Sequence, residues 1–419
     1  MKHSLPYQIR RFSLLLLGIL IFVFLTPVAD RTLGDTVILP LVGLYLATQW
    51  KAFRRISRQD ILTLVLSAFY IVMILLYRLW GLSDASLSAY FTTLKFHLCF
   101  AFMVPLARTL RRKESKFLLA VAIASMLLTM VYNIHLQSVY GAKFTMRAFR
   151  LEGLKGIIST QYTTSVLLVS GAFLAAALQG RGWKFRLLAA ALLAACVHFN
   201  LKVGQRGIVF FLSFILYGLV IVFNKPLDKR RILGLMALAV LGVLAFMRAD
   251  SILGWMSANI SSERLQVRIT AVQDMLSHKS VKMYGGSFSA RWTLIGRSWD
   301  TFRETPQNLL FGVGDRRANN MMVGNHSQLV DEFARYGLLG GALSIWLLLR
   351  QLRFVRRVAG PEPGSPLARQ LGCIFFVLWV RCLMGAVMEM SNGVQLFITI
   401  PLFLRMAQEG KNQDRRLWA

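Results

Sequence analysis

The stretch GNHSQLVDEFARYGLLGG, from Gly324 to Gly341, sets one histidine, two acids and an arginine directly before ALSIWLLLRQLRF. His326 offers an imidazole, which exchanges a proton near neutral pH. Asp331 and Glu332 stand four and three residues before Arg335, so on a helix both acids can pair with it. Gly337, Gly340 and Gly341 remove side chains just beyond and permit close helix contact. Two more arginines mark element boundaries: Arg206 in KVGQRGIVFF and Arg291 at the start of RWTLIGRSWDTFRE. A pair of guanidinium groups suits a diphosphate, whose oxygens match their planar donor fork. Taken singly, each arginine would also serve by snorkelling to phospholipid headgroups. Arg381 falls about ten residues into an apolar run, near the expected bilayer centre. Facing lipid there it would cost roughly 2.5–3.5 kcal/mol or more. It is expected to face the bundle interior, either paired with an acid such as Glu389 or lining a cavity.

The elements that position these residues are membrane spans. A chain that is 56% hydrophobic over 419 residues is too apolar for a soluble domain of this length. Runs such as FSLLLLGILIFVFLTPVA and ILTLVLSAFYIVMILLYRLW match the roughly 20 helical residues that cross a bilayer core. Spanning segments of this kind are helical because a helix satisfies its own backbone in lipid. Short alternating segments, the sign of a membrane β-barrel, are missing from the sequence. The expected fold is an all-α polytopic membrane protein with about twelve spans, at 12–29, 36–50, 61–80, 90–107, 117–134, 158–178, 185–201, 207–223, 232–247, 327–349, 371–388 and 393–407. The first is expected to be retained as a signal anchor, since no convincing cleavage site follows it. The chain then divides into nine N-terminal spans (1–247), a large loop (248–326) and three C-terminal spans (327–419).

Charge supports this count independently. Every second loop is basic, from Arg10 and Arg11 before the first span to Arg353, Arg356 and Arg357 after the tenth. Positive-inside placement then makes both termini cytoplasmic. The formal net charge of +30 does not point to nucleic acid, because the basic residues never gather into one soluble domain. Cys99, Cys196, Cys373 and Cys382 all fall in spans, with neither a disulfide framework nor metal-ligand spacing. On the translocated side one loop, His135–Gly156, carries Lys143, Arg147, Arg150 and Lys155. These would attract phosphorylated sugars or lipid headgroups alike. In the large loop, SSERLQVRITAVQDMLSH and RWTLIGRSWDTFRE read as amphipathic helices lying on the membrane surface. The second is expected to line up Trp292, Ile295, Trp299 and Phe302 on one apolar face.

HSQLVDEFARYGLLG, from His326 to Gly340, resembles the H-[NSQ]-x9-G-x-x-G pattern of bacterial O-antigen ligases, without a gap. The preceding RWTLIGRSWDTFRETPQNLLFGVGD is similar to that family's long outer loop, and GQRG resembles its arginine-containing turn, with Gln205 where a serine often stands. The resemblance implies a GT-C type glycosyltransferase. It would move O-antigen from undecaprenyl diphosphate to lipid A–core on the periplasmic side of the bacterial inner membrane, completing lipopolysaccharide. It implies that Arg206, Arg291 and His326 are required, and that neither cofactor nor metal is. In such a site the arginines would hold the diphosphate, and His326 would act as general base in one inverting displacement. O-antigen polymerases and protein O-oligosaccharyltransferases share the plan and the donor. A lipid or polysaccharide transporter is the more distant alternative; it would more often place its site at the midplane.

Overall fold

The computed structural model describes residues 5–82, 87–140, 160–180, 182–202, 208–226, 254, 288–314, 322–324 and 327–408. Among the described residues every regular element is helical. In chain order these are α1 (Leu5–Leu25), α2 (Pro27–Thr48), α3 (Trp50–Phe53), α4 (Arg58–Leu79), α5 (Leu87–Leu106), α6 (Arg112–Tyr140), α7 (Thr160–Gln179), α8 (Trp183–Lys202) and α9 (Ile208–Val222). Then come α10 (Phe288–Arg303), α11 (Pro306–Phe311), α12 (Gln328–Ala359), α13 (Pro366–Leu383), α14 (Met390–Val394), a π-turn at Gln395–Thr399 and α15 (Ile400–Gln408).

Among the described residues seven helices are long and apolar enough to cross a bilayer: those within α1, α4, α6, α7, α8, α12 and α13. The chain is accordingly a multi-pass helical membrane protein. Shorter apolar helices at Thr36–Thr48, Thr93–Leu106 and Leu212–Val222 occupy three of the other expected positions. Gly34, at φ 66° and ψ 165°, interrupts α2 ahead of Pro40, and Pro105 sits inside the end of α5. The expected spans at 371–388 and 393–407 also differ in detail. The first ends at Leu383, and the second is interrupted by the π-turn. The expected ninth span and the amphipathic helix expected over 261–278 lie outside the described residues.

Helix starts follow from the sequence. Ser57, Thr305, Ser327 and Ser365 each accept a first-turn N–H, from Asp60, Asn308, Val330 and Ala368. Prolines occupy the first turns of α2, α11 and α13, where their missing N–H costs nothing. Burial is inverted relative to a soluble helix. Along α4 the interior face is Asp60, Thr63, Ser67, Tyr70, Ile74 and Tyr77, while Val65 and Phe69 are more than half exposed. A helix with its more polar face inward and its apolar face outward is built for hydrocarbon surroundings.

α12 is not one straight rod. Gly337 lies at φ 63° and ψ −165°, a backbone conformation essentially restricted to glycine. Beyond it α12 runs antiparallel to α4. Tyr336 packs edge-on to Tyr77, Gly340 meets Met73, and Arg350 and Arg357 bond Thr63 and Asp60. A straight continuation would carry Glu332 past the end of α4. Instead Tyr70, about 10 Å back from Tyr77 along the axis, donates its hydroxyl hydrogen to Glu332 Oε2. The segment 328–336 therefore turns back along the bundle.

The break would strand carbonyls that normally accept from residues 338 and 339. A turn from the preceding loop supplies the donors: Val313 N bonds Ala334 O at 3.0 Å and Gly314 N bonds Arg335 O at 2.9 Å. This docking demands bare backbone. A Cβ on Gly312 would lie 2.3 Å from Arg335 O, one on Gly314 2.1 Å from Leu82 O, and one on Gly337 2.2 Å from Leu310 O. The Tyr77 hydroxyl fastens the same turn by donating to Phe311 O. Gly337→Ala should thus lower the melting temperature and folded yield of the detergent-solubilised protein. The backbone conformation alone accounts for about 1–3 kcal/mol, with the clash in addition. Gly372→Ala, where an added Cβ in α13 would meet nothing within 4 Å, should be neutral or stabilising by up to about 1 kcal/mol. Equal melting temperatures for the two variants would mean that the break does not need glycine.

Candidate functional site

His326 and Arg206 lie outside the described residues, as do Arg147 and Arg150. Arg291 belongs to the first turn of α10, where the backbone is described. Asp331, Glu332, Arg335 and Arg381 are described in full.

The two sides of His326 are anchored to α10 through one buried carboxylate. Asp331, 4% exposed, accepts Ser298 Oγ at 2.6 Å and Ser327 N at 2.9 Å. Ser298 in turn accepts Gly324 N at 2.8 Å. Gly324 lies so close to α10 that a Cβ would meet Leu294 O at 2.0 Å. Leu294 is three residues after Arg291, about 4.5 Å along the helix. Phe302 and Phe333 extend the contact, with ring centroids 5.4 Å apart. The buried face of α10 is thus Ser298, Thr301 and Phe302, with Leu294 partly covered. This corrects the expected apolar face, for Trp299 is 48% exposed whereas Phe302 is 7% exposed. Packing against α12 selects the stripe with small polar residues in it, because Ser298 is needed by Asp331.

A second set of bonds fixes the start of α12 from the side of α13. Gln328 N donates to Gly385 O at 3.3 Å, and Gln328 Oε1 accepts Val387 N and Met388 N at 3.2 and 3.4 Å. Ser327 Oγ reaches Cys382 O at 3.3 Å. Gln328 Nε2 donates to Glu332 Oε1 at 2.6 Å, so Glu332 is held between Gln328 and Tyr70. These bonds hold both acids, and the positive charge of Arg335 acts on Glu332 as the spacing leads one to expect. Ser327 and Gln328 are local donors four residues before the acids, and the turn back at Gly337 adds Ser298 of α10 and Tyr70 of α4. Gly337 is conformational, and Gly340 and Gly341 sit tightly against Tyr336 and Phe333.

Arg381 is not at the middle of a span. α13 ends at Leu383, so Arg381 occupies its last turn. It is buried, and its Nε donates to Thr164 Oγ1 at 3.0 Å. The guanidinium lies over Gly385, where a Cβ would come within 1.6 Å of Nη1. Beside it, Ser165 Oγ contacts Asn392 Oδ1 and Ser391 Oγ at 2.7 and 2.8 Å, and Glu389 is buried. α9 reaches the same end of the bundle. Tyr217 bonds Ser170, Gln370 bonds Val220 O, and Gln179 bonds Asn224. Those pairs run α9 parallel to α7 and antiparallel to α13. Ile208, two residues beyond Arg206, therefore begins at the end where Thr164 and Arg381 lie.

Arg291's helix, the flanks of His326, the end of Arg381's helix and the start of the helix after Arg206 meet at one end of the bundle. Ser298, Gln328, Tyr70, Thr164 and Gly385 complete that end and are not legible as site residues from their own spacing. Ser298 alone leaves a trace, as a small polar residue in register with Leu294 and Phe302. Among the described residues no group of three His, Cys, Asp or Glu side chains is placed to hold a metal ion. Comparison of the chain with protein families and with curated proteins found no match.

Asp331→Ala should leave the Ser327 N–H without its acceptor, at about 1–3 kcal/mol for a buried group, and the Ser298 hydroxyl with only Leu294 O at 3.4 Å. Asp331→Asn keeps an acceptor oxygen and should lose less. Melting temperatures of both variants, beside Ser298→Ala, test this. Equal stability of Asp331→Ala and wild type would mean that the carboxylate does not hold α10 on α12.

Proposed function

We propose that the chain is a glycosyltransferase of the GT-C type with about twelve spans and both termini cytoplasmic. Its reaction moves O-antigen from undecaprenyl diphosphate to lipid A–core at the periplasmic face of the bacterial inner membrane. One observation carries the reading. The Gly324–Ser298–Asp331–Ser327 bonds hold both flanks of His326 on the helix that carries Arg291 in its first turn. Phosphate-binding and proton-accepting groups brought to one membrane surface are what transfer from a lipid diphosphate requires. The resemblance of His326–Gly340 to O-antigen ligases adds the substrate class.

In this mechanism Arg206 and Arg291 hold the diphosphate and take up its growing negative charge as the sugar C1–O bond breaks. Fixed cationic donors aimed at developing charge contribute about 2.7–4 kcal/mol each in comparable sites. His326 removes the proton from an acceptor hydroxyl while that oxygen bonds C1 from the opposite face. The products are the glycosylated acceptor with inverted C1, undecaprenyl diphosphate, and a proton passed from the imidazole to water. Neither step consumes ATP.

His326→Ala should bind donor as wild type does and transfer at least about 100-fold more slowly, the scale of general-base contributions. His326→Gln should be equally slow, since it lacks a basic nitrogen. A working Gln variant would make the histidine a hydrogen-bond donor to phosphate instead. Arg291→Lys keeps the charge and loses the fork, so transfer should fall steeply. Wild-type turnover by that variant would refute the clamp.

A further inference from the structure

α10 has a second face, and it carries chemistry that the diphosphate site does not use. A cleft of about 1210 Å³ opens along it, lined by Trp299, Arg297, Asp300, Arg303, Glu304 and Met322 among others. Trp299 is exposed there, yet its ring is not loose. It packs on the buried Phe302 at 5.5 Å between centroids, and Phe302 packs on the half-buried Phe333 at 5.4 Å. An exposed ring backed by two others is a fixed flat platform. Beside it Arg303 Nη2 donates to Asp300 Oδ1 at 2.7 Å, which holds a donor and an acceptor in place together.

The lining decides what such a platform would take. Arg297 and Arg303 are balanced by Asp300 and Glu304, so these charged groups sum to zero. Anionic headgroups are drawn to an excess of positive charge, and acyl chains are repelled by four charged groups. A carbohydrate satisfies both features, since its C–H faces stack on an aromatic ring's negative face and its hydroxyls both donate and accept. Position agrees. Trp299 is eight residues after Arg291, about 12 Å along the helix and within a quarter turn around it, a span of two to three sugar rings.

The geometry points to a saccharide subsite on α10, with Trp299 as its stacking platform, that holds the glycan of the lipid-linked donor just beyond its diphosphate. This rests on the diphosphate reading of Arg291 and adds recognition of the sugar chain to it. Trp299 is a binding residue here and touches no reacting atom.

The test uses the full chain in nanodiscs and two probes: bare undecaprenyl diphosphate, and undecaprenyl diphosphate carrying polysaccharide extracted from the source membranes. Wild type should bind the glycan-bearing probe about tenfold more tightly, equivalent to about 1.4 kcal/mol. Trp299→Ala should erase that preference and leave bare undecaprenyl diphosphate binding unchanged. Trp299→Phe, which keeps a ring, should retain most of it. Equal binding of both probes by wild type overturns the subsite and leaves the diphosphate site standing. Equal weakening of both probes in Trp299→Ala also overturns it, and makes Trp299 a membrane anchor. Failure of wild type to bind either probe overturns the diphosphate reading itself.

Discussion

A helix that stops inside a membrane protein leaves carbonyl groups with no water to receive them, so a break must bring its own donors. At Gly337 those donors are Val313 N and Gly314 N, inserted from the loop that leads toward His326. The rest of this end of the bundle follows from that exchange. Because the break is satisfied, segment 328–336 can turn back. Because it turns back, Glu332 meets Tyr70 and Asp331 meets Ser298. Because Asp331 grips Ser298, α10 is seated on α12 with Arg291 at its beginning. Three glycines, Gly312, Gly314 and Gly337, are the sequence's provision for it, each placed where a Cβ would overlap a neighbouring carbonyl.

The same arrangement explains why titratable residues run directly into an apolar helix. The polar turn is a separate piece, supported on two sides. α10 holds it through Asp331, and the end of α13 holds it through Ser327 and Gln328. Buried carboxylates are costly unless they are hydrogen-bonded, and here each has two donors from its surroundings. Positions 327 and 328 become the point where three elements are registered against one another.

Much of the fold is legible in the sequence, for identifiable reasons. Long apolar runs identify α1, α4, α6, α7, α8, α12 and α13, and serine or proline punctuation marks several of their starts. Less legible is anything that depends on what an element packs against. Spacing sets Arg335 near Asp331 and Glu332; it does not announce Ser298 and Tyr70, the donors that α10 and α4 add. Hydrophobicity alone puts Trp299 on the same face as Phe302; the need for Ser298 at the contact rotates α10 and leaves Trp299 outside. Arg381 reads as mid-membrane because apolar residues continue past it, although α13 ends two residues later. Gly337 reads as a packing glycine, since nothing local announces that a loop 24 residues upstream will cap the helix there.

Transfer to a defined acceptor tests the functional conclusion most directly. Proteoliposomes would hold the purified chain, undecaprenyl diphosphate-linked O-antigen and lipid A–core, without nucleotide. The expected product is lipid A–core bearing the polysaccharide, formed with an equal amount of released undecaprenyl diphosphate. Lengthening of the lipid-linked polymer with lipid A–core left unmodified would contradict ligation and make the chain a polymerase; no transfer to either would contradict the glycosyltransferase assignment altogether.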